Sequence, residues 1–200
     1  MVLVRQVSDT DAASILSIYA PYIVNTVITF EEEVPSPEEY AQRISKVSQK
    51  YPWLVCEVDG AVVAYVYASI YRERAAYQWS CECSVYVAEE YKGKGIGAYL
   101  YNALFAILKE QRFHTVYAII TLPNDASVRL HEKLGFQYFA VFEKVGYKLG
   151  GWQNVGWWRL AINSYEDQPS PPVLFADLPL SSYQHLLSEA AEKIKQALED

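Results

Sequence analysis

A chain of 200 residues with a net charge of −7, 52% hydrophobic residues and a mean hydropathy of −0.04 has the proportions of one soluble α/β domain with a full core and a short appendage. The acidic balance and dispersed lysines and arginines exclude a nucleic-acid binder built on a basic stripe. No apolar run approaches the roughly 18–20 residues of a membrane span, and MVLVRQVSDTD at the N-terminus turns acidic too early for a secretory signal. A cytoplasmic protein is expected, with neither nucleic acid nor membrane as partner.

Val2–Val7 alternates apolar and polar residues and predicts a first strand. Asp9 is placed to cap a helix whose apolar face holds Ala12, Ile15, Leu16, Ile18 and Tyr19. Thr26–Pro35 reads as a loop carrying Phe30. Ser36-Pro-Glu-Glu39 then combines a capping serine, proline at the first helical position and glutamate at the third. Trp53–Val58 and Ala61–Ile70 are apolar runs joined at the hairpin signal Asp59-Gly60. Gln78–Val87 predicts a third long strand, followed by a helix over 98–111 and a strand at Thr115–Thr121. Asn124 or Asp125 caps a helix running through Leu134 and closed by Gly135, and residues 136–162 predict two closing strands around Gly150-Gly151. This order implies an α/β domain over residues 1–163: a central mixed, largely antiparallel sheet with helices on both faces. Residues 164–180, rich in proline, read as a linker. They lead to a C-terminal amphipathic helix at 181–200, with Tyr183, Leu186, Leu187, Ala190, Ile194 and Leu198 on one face.

Cys56, Cys81 and Cys83 cannot all pair. Cys81 and Cys83 share one face of a strand, as small buried hydrophobes in a reducing compartment. With histidines scattered at 114, 131 and 185, no metal site is expected. Seventeen tyrosines and five tryptophans exceed what packing needs and point to a pocket or a subunit interface.

The most informative stretch is Val85-Tyr-Val-Ala-Glu-Glu-Tyr-Lys-Gly-Lys-Gly-Ile-Gly97, a strand that stops, turns through three glycines and opens into a helix. Gly93, Gly95 and Gly97 lack a Cβ where the backbone must turn. The helix start offers unpaired N–H groups and about half a positive charge. With Lys92 and Lys94 these features suit a phosphate or pyrophosphate. The spacing is neither that of a nucleotide-triphosphate loop nor G-x-G-x-x-G. An ordinary tight turn would share it.

Ordered blocks along residues 2–162 carry a resemblance: Ile18-Tyr-Ala-Pro-Tyr22, Thr29-Phe-Glu31, Tyr51-Pro-Trp53, Glu82-Cys-Ser-Val-Tyr-Val87, Lys92–Gly97, Leu122-Pro-Asn124, SVRLHEKLGF at 127–136 and VGYKLGGWQNVGWW at 145–158. The chain resembles the GNAT superfamily of acetyl-CoA-dependent N-acetyltransferases, and within it the phosphinothricin and methionine-sulfoximine group. In the superfamily signature [Gln/Arg]-x-x-Gly-x-Gly/Ala, here Lys92-Gly-Lys-Gly-Ile-Gly97, lysine replaces the usual planar or guanidinium side chain. The resemblance does not extend to the tail after residue 164.

The resemblance implies acetyl-CoA as co-substrate. Backbone groups of Val85, Tyr86 and Val87 would pair with its pantetheine arm, and Lys92, Gly93, Lys94, Gly95, Ile96, Gly97 and Ala98 would hold its pyrophosphate. Asn124 matches the family's cofactor-binding asparagine, and Lys133 is a further candidate near the phosphates. It also implies a catalytic role for Glu82 as general base towards the substrate ammonium; an ion pair with Arg72 or Arg74 is the structural alternative. His131 stands where many members carry a tyrosine acid that protonates the leaving thiolate; a hydrogen-bonded helix residue is the alternative. Read from the residues themselves, Arg72-Glu73-Arg74 after a strand could grip an anionic head group; a solvated loop is the alternative. Phe30 and Tyr77, with Trp79 and Trp152, would wall the pocket and Glu82 would meet the amine.

The resemblance implies N-acetylation of the α-amine of a small amino acid or amino-acid-like toxin, by direct transfer, and with the aromatic C-terminal region it suggests a homodimer. Alternatives are a polyamine, arylamine or protein N-terminal acetyltransferase, or a non-catalytic acyl-CoA-binding sensor. Cationic amines would prefer an acidic pocket, whereas Arg72 and Arg74 favour an anion.

Overall fold

The computed structural model describes residues 1–199. Its elements in chain order are β1 (Val2–Gln6), α1 (Ala12–Asn25), α2 (Pro37–Ser48), β2 (Trp53–Val58), β3 (Ala61–Ile70), β4 (Ser80–Val87), α3 (Ile96–Glu110), β5 (Thr115–Leu122), α4 (Asp125–Lys133), β6 (Gln137–Lys148), β7 (Gly151–Ala161) and α5 (Leu180–Glu199). The seven strands form one sheet in the order β1-β2-β3-β4-β5-β7-β6. Every neighbouring pair is antiparallel except β4–β5.

The period-two alternation of the central strands divides the core. Trp53 and Val55 of β2, with Tyr65 of β3, face α1 and α2 and bury Ile15, Tyr19, Tyr40 and Ile44. Leu54, Cys56, Ala64 and Val66 point the other way, with Cys81 and Cys83, against Ile96, Leu100 and Leu104 of α3. All three cysteines are free and buried. Ser36 caps α2 as its sequence implies: Ser36 Oγ accepts from Glu39 N at 3.2 Å and Glu39 Oε2 from Ser36 N at 2.8 Å. At α1 the structure corrects the cap. Ser8, not Asp9, begins the turn, its N–H donating to Asp11 Oδ2 at 2.7 Å, because Asp11 is held in place by Arg5. The strand expected to start at Gln78 starts at Ser80, since Ala75–Tyr77 winds into a 3-10 turn.

The last β-hairpin turns at Leu149 and Gly150, with φ of 50° and 78°, one residue earlier than the glycine pair suggests; Gly151 already belongs to β7. Beyond it, residues 164–179 are bonded along the domain as a strap. Trp79 Nε1 donates to Ser170 O at 2.9 Å, and Gln111 Nε2 donates to both Lys50 O and Val173 O at 2.8 Å. Phe175 is 2% exposed and packs on Tyr183 of α5. Through Tyr183, Leu187, Ala190 and Ile194, α5 enlarges the core on the α3 side and lies against α3 and β1. Phe175→Ala should therefore lower unfolding stability by about 3–5 kcal/mol, measured by urea denaturation; a loss under about 1 kcal/mol would show that the strap contributes little.

Candidate active site

The parallel pairing of β4 with β5 lasts for three residue pairs, Ser80–Thr115, Cys81–Val116 and Glu82–Tyr117, and then stops. Beyond Glu82 the strands diverge, while β4 stays paired to β3 as far as Ala64–Val87. Ala88 N donates to Val63 O at 2.8 Å, which fixes the phase of the β3–β4 ladder. By antiparallel alternation, Glu82, Ser84 and Tyr86 turn their backbone groups to β3, and Val85 and Val87 turn theirs to the gap. The Val87 carbonyl accepts from Tyr22 Oη at 2.9 Å. The Val85 N–H and C=O and the Val87 N–H thus face the gap with no strand opposite. Tyr86, expected to offer backbone, instead packs its ring against Tyr19, Tyr22 and Tyr65 and lines the gap from there.

The gap opens into a cleft of about 390 Å³ walled by Val85–Val87 on one side, the glycine turn below and Asn124, Ser127 and Leu130 on the other. After a 3-10 turn at Glu89–Tyr91, Gly93 and Gly95 adopt φ of 78° and 79°, the left-handed region where a Cβ is strained. Gly97 is different: a Cβ there would meet Leu130 and Val85 at ordinary contact distances of 3.6–3.7 Å. Ile96, Gly97 and Ala98 at the start of α3 line the cleft with the positive end of the helix dipole; Ala98 N already donates to Gly95 O at 3.0 Å, which leaves the N–H groups of Ile96 and Gly97 for the cleft. Lys92 lines the cleft, 4.7 Å above the Tyr22 ring, with its Nζ donating to Glu89 Oε2 at 2.5 Å. Lys94 lies over Tyr91 outside the cleft lining. Asn124 caps α4, its Oδ1 accepting from Ser127 N at 3.2 Å, so it borders the cleft already committed through its side chain. Lys133 is exposed at the far end of α4 and does not line the cleft.

Glu82 stands at the fork itself. Its side chain is on the α1/α2 face, between Ser69 of β3 and Tyr117 of β5. Burial pushes its pKa up to about 7, against a smaller downward pull from Arg72. Among the described residues no cation lies within ion-pair distance of it. Arg72 is exposed, its guanidinium 5.2 Å and 5.6 Å above the rings of Tyr71 and Tyr77. Glu73 and Arg74 are exposed beside it. Phe30 lies on the loop before α2 with its ring where a Cβ of Gly146 would sit, 2.2 Å from Phe30 Cε2, so only glycine admits that packing.

His131 is 4% exposed, under α3. Its Nδ1 lies 2.8 Å from Ser127 O, its Nε2 3.1 Å from Tyr101 Oη, and burial pushes its pKa below the ordinary value. It borders a smaller cavity of about 70 Å³ at the deep end of the cleft, with Cys83, Val85 and Tyr101. Tyr101 was not among the residues marked by the sequence, where it reads as one more apolar position of the helix at 98–111. Tyr22 is likewise invisible there as a cleft residue, although it falls in one of the resembling blocks.

A splayed parallel strand pair, an open backbone edge and a glycine turn feeding a helix define an acyltransferase of the GNAT class. The sequence pattern of the acetyltransferase (GNAT) domain matches residues 4–157, and the chain belongs to that family. It is 37% identical over 169 residues to a phosphinothricin N-acetyltransferase of Streptomyces viridochromogenes, covering 84% of this chain and 90% of that one. It is 30% identical over 171 residues to an L-methionine sulfoximine/L-methionine sulfone acetyltransferase of Pseudomonas aeruginosa, 83% of this chain and 98% of that one. A crystal structure of a phosphinothricin acetyltransferase from Sinorhizobium meliloti in complex with acetyl-CoA superposes with a TM-score of 0.79 at 31% identity, covering 87% of this chain and 98% of that one. No helix among the described residues is long and apolar enough to cross a membrane, and no group of metal-ligating side chains gathers there.

Gly95→Ala should cost about 1–2 kcal/mol of local strain and push the added methyl to within 3.2 Å of the Tyr99 ring. The expected result is a Kd for coenzyme A raised about tenfold or more by calorimetry, whereas Gly97→Ala should bind within about threefold of wild type, in line with their different φ and contacts.

Proposed function

We propose that this chain is an acetyl-CoA-dependent N-acetyltransferase that acetylates the α-amine of a small amino acid or amino-acid-like acid. Compounds of the methionine sulfoximine, methionine sulfone and phosphinothricin type are the substrate class that the named relatives suggest. The observation that carries the proposal is Glu82: a half-buried carboxylate without an ion-pair partner, at the fork from which the unpaired backbone of Val85 and Val87 begins. The cleft fits the cofactor: a strand-like arm would complete the open β4 edge, and the pyrophosphate would meet the N–H groups behind Gly93 and Gly95.

Acetyl-CoA, when bound, supplies an acetyl group activated as a thioester. Glu82, deprotonated above about pH 7, takes a proton from the substrate ammonium, directly or through water. The freed amine attacks the carbonyl, and the Val85 or Val87 N–H donates to the oxygen on which charge develops, a contribution of about 3–4 kcal/mol in comparable acyl transfers. As the C–S bond breaks, His131 supplies the proton that the departing sulfur needs, and the amine nitrogen gives up its second proton to water. Arg72, with Arg74 near it, meets the acceptor's anionic group. Lys92 must exchange Glu89 for a phosphate oxygen, which keeps the unliganded site from carrying a bare cation.

The assembly follows from the side of the sheet that no helix covers. On the β5-β7-β6 half, Ile119, Phe139 and Phe142 are 38–48% exposed around Trp157, and Tyr71 stacks on Tyr117 at 4.3 Å beside Glu82's strand pair. A second copy covering this aromatic face would make a homodimer in which each subunit walls its neighbour's acceptor pocket. The three reduced, buried cysteines agree with a cytoplasmic setting.

Thiol release from acetyl-CoA should be fast with methionine sulfoximine or phosphinothricin and slow with spermidine. Glu82→Gln should lower kcat by roughly 10²–10⁴-fold. Because the base works unprotonated, kcat/KM should rise with pH below about 7, a dependence absent from the Gln variant. Coenzyme A binding without turnover of any amine would assign the sensor reading instead. Light scattering at micromolar concentration should give about twice the 22.8 kDa chain mass; a monomer would remove the shared pocket.

A further inference from the structure

His131 has no nitrogen free to face the cleft. A carbonyl only accepts, so the 2.8 Å contact of Nδ1 with Ser127 O makes Nδ1 the protonated nitrogen of the neutral ring. Nε2 then carries the lone pair and accepts from Tyr101 Oη at 3.1 Å. Tyr101 is 1% exposed, on the first turns of α3, with its ring held against Phe105 and tilted to His131. Both residues border the 70 Å³ cavity at the deep end of the cleft. Among the described residues the Tyr101 hydroxyl is the one hydrogen-bond partner of Nε2, and Tyr101 lines that space.

We propose that Tyr101 is the relay through which His131 exchanges protons with the cleft. The inference rests on the reading of His131 as the acid for the leaving sulfur. When His131 is doubly protonated, Nε2–H donates to Tyr101 Oη and frees the hydroxyl proton to point into the cavity. In the transfer, the Tyr101 O–H bond breaks as an S–H bond forms, and the Nε2–H bond breaks as a new O–H bond forms on Tyr101. The imidazolium ends neutral, the thiolate ends as thiol, and the tyrosine is unchanged. Tyrosinate never has to persist, which matters because burial holds the Tyr101 hydroxyl well above its usual pKa. The titratable group against the Tyr101 hydroxyl is Cys83 of β4, a hydrogen-bond partner whose thiol is pushed up to about 12 by burial; Phe136 and Ser127 complete the surroundings of His131. Neither Tyr101 nor Cys83 changes charge across the working pH range.

The test is Tyr101→Phe, which keeps the ring and removes only Oη, compared with His131→Gln and the double variant. In ligand-free protein, ¹H–¹⁵N spectra of the imidazoles should show His131 as the Nδ1–H tautomer, and its Nε2 signal should move in Tyr101→Phe as the hydrogen bond is lost. Steady-state kcat should fall about 10–100-fold in both single variants. The double variant should be no slower than either single one, and KM for acetyl-CoA should stay within about twofold. An Nε2–H tautomer, an unmoved Nε2 signal, or multiplicative losses in the double variant would overturn the relay. Loss in His131→Gln with full activity in Tyr101→Phe would overturn it while leaving His131 as the acid. Full activity in His131→Gln would remove the acid reading and the relay with it.

Discussion

The fork between β4 and β5 is the constraint on which the molecule depends. Backbone N–H and C=O groups inside a sheet are nearly always paired, and an unpaired one sheltered from water is costly. Here the parallel ladder ends after Glu82–Tyr117, and the edge of Val85 and Val87 is left open in the middle of a seven-stranded sheet. The Tyr22 hydroxyl satisfies one of the exposed groups, the Val87 carbonyl. The others face the gap with no strand opposite. The fork also brings Glu82 to a position half out of water yet adjacent to that edge, which links the carboxylate's raised pKa to the place where an acyl group would lie.

The rest of the fold holds the fork open. On one face, α1 and α2 bury an aromatic layer of Tyr19, Tyr40, Trp53 and Tyr65, with Tyr86 in contact from β4. On the other, α3 begins at the glycine turn and packs along β2–β4. The strap and α5, outside the region matched by the family, thicken this second layer: Phe175, Tyr183, Leu187 and Ile194 join the same core as Leu100 and Leu104. α3 thereby gains support along its length, while its N-terminus stays exposed to the cleft.

The electrostatics are local. A chain with a net charge of −7 offers an anion aligned N–H groups and a helix terminus rather than excess cations. Lys92 is already neutralised by Glu89 in the absence of a ligand. Burial pushes Glu82 up to about 7 and His131 down from its ordinary value, opposite shifts with one cause, the loss of water around the charged form.

Much of this was legible in the residues. The hairpin at Asp59-Gly60, the capping box at Ser36–Glu39, the helix after the glycine turn and the mixed sheet follow from local periodicity and turn chemistry, which are properties of short segments. The glycine turn and Glu82 also announce themselves, because three alternating glycines and a carboxylate inside an apolar strand are conspicuous in a string of letters. Tertiary structure decided what depends on pairs distant in sequence. Gly97 is tolerant where Gly95 is not, Tyr86 gives its backbone to β3, and Tyr101, 30 residues from His131, is its hydrogen-bond partner. A proline-rich segment that composition reads as a linker is held by Trp79 and Gln111 from the domain itself. Sequence patterning determines which face of an element is apolar; the register and the packing between elements determine which polar atom on that face finds a partner, and that is a property of the whole fold.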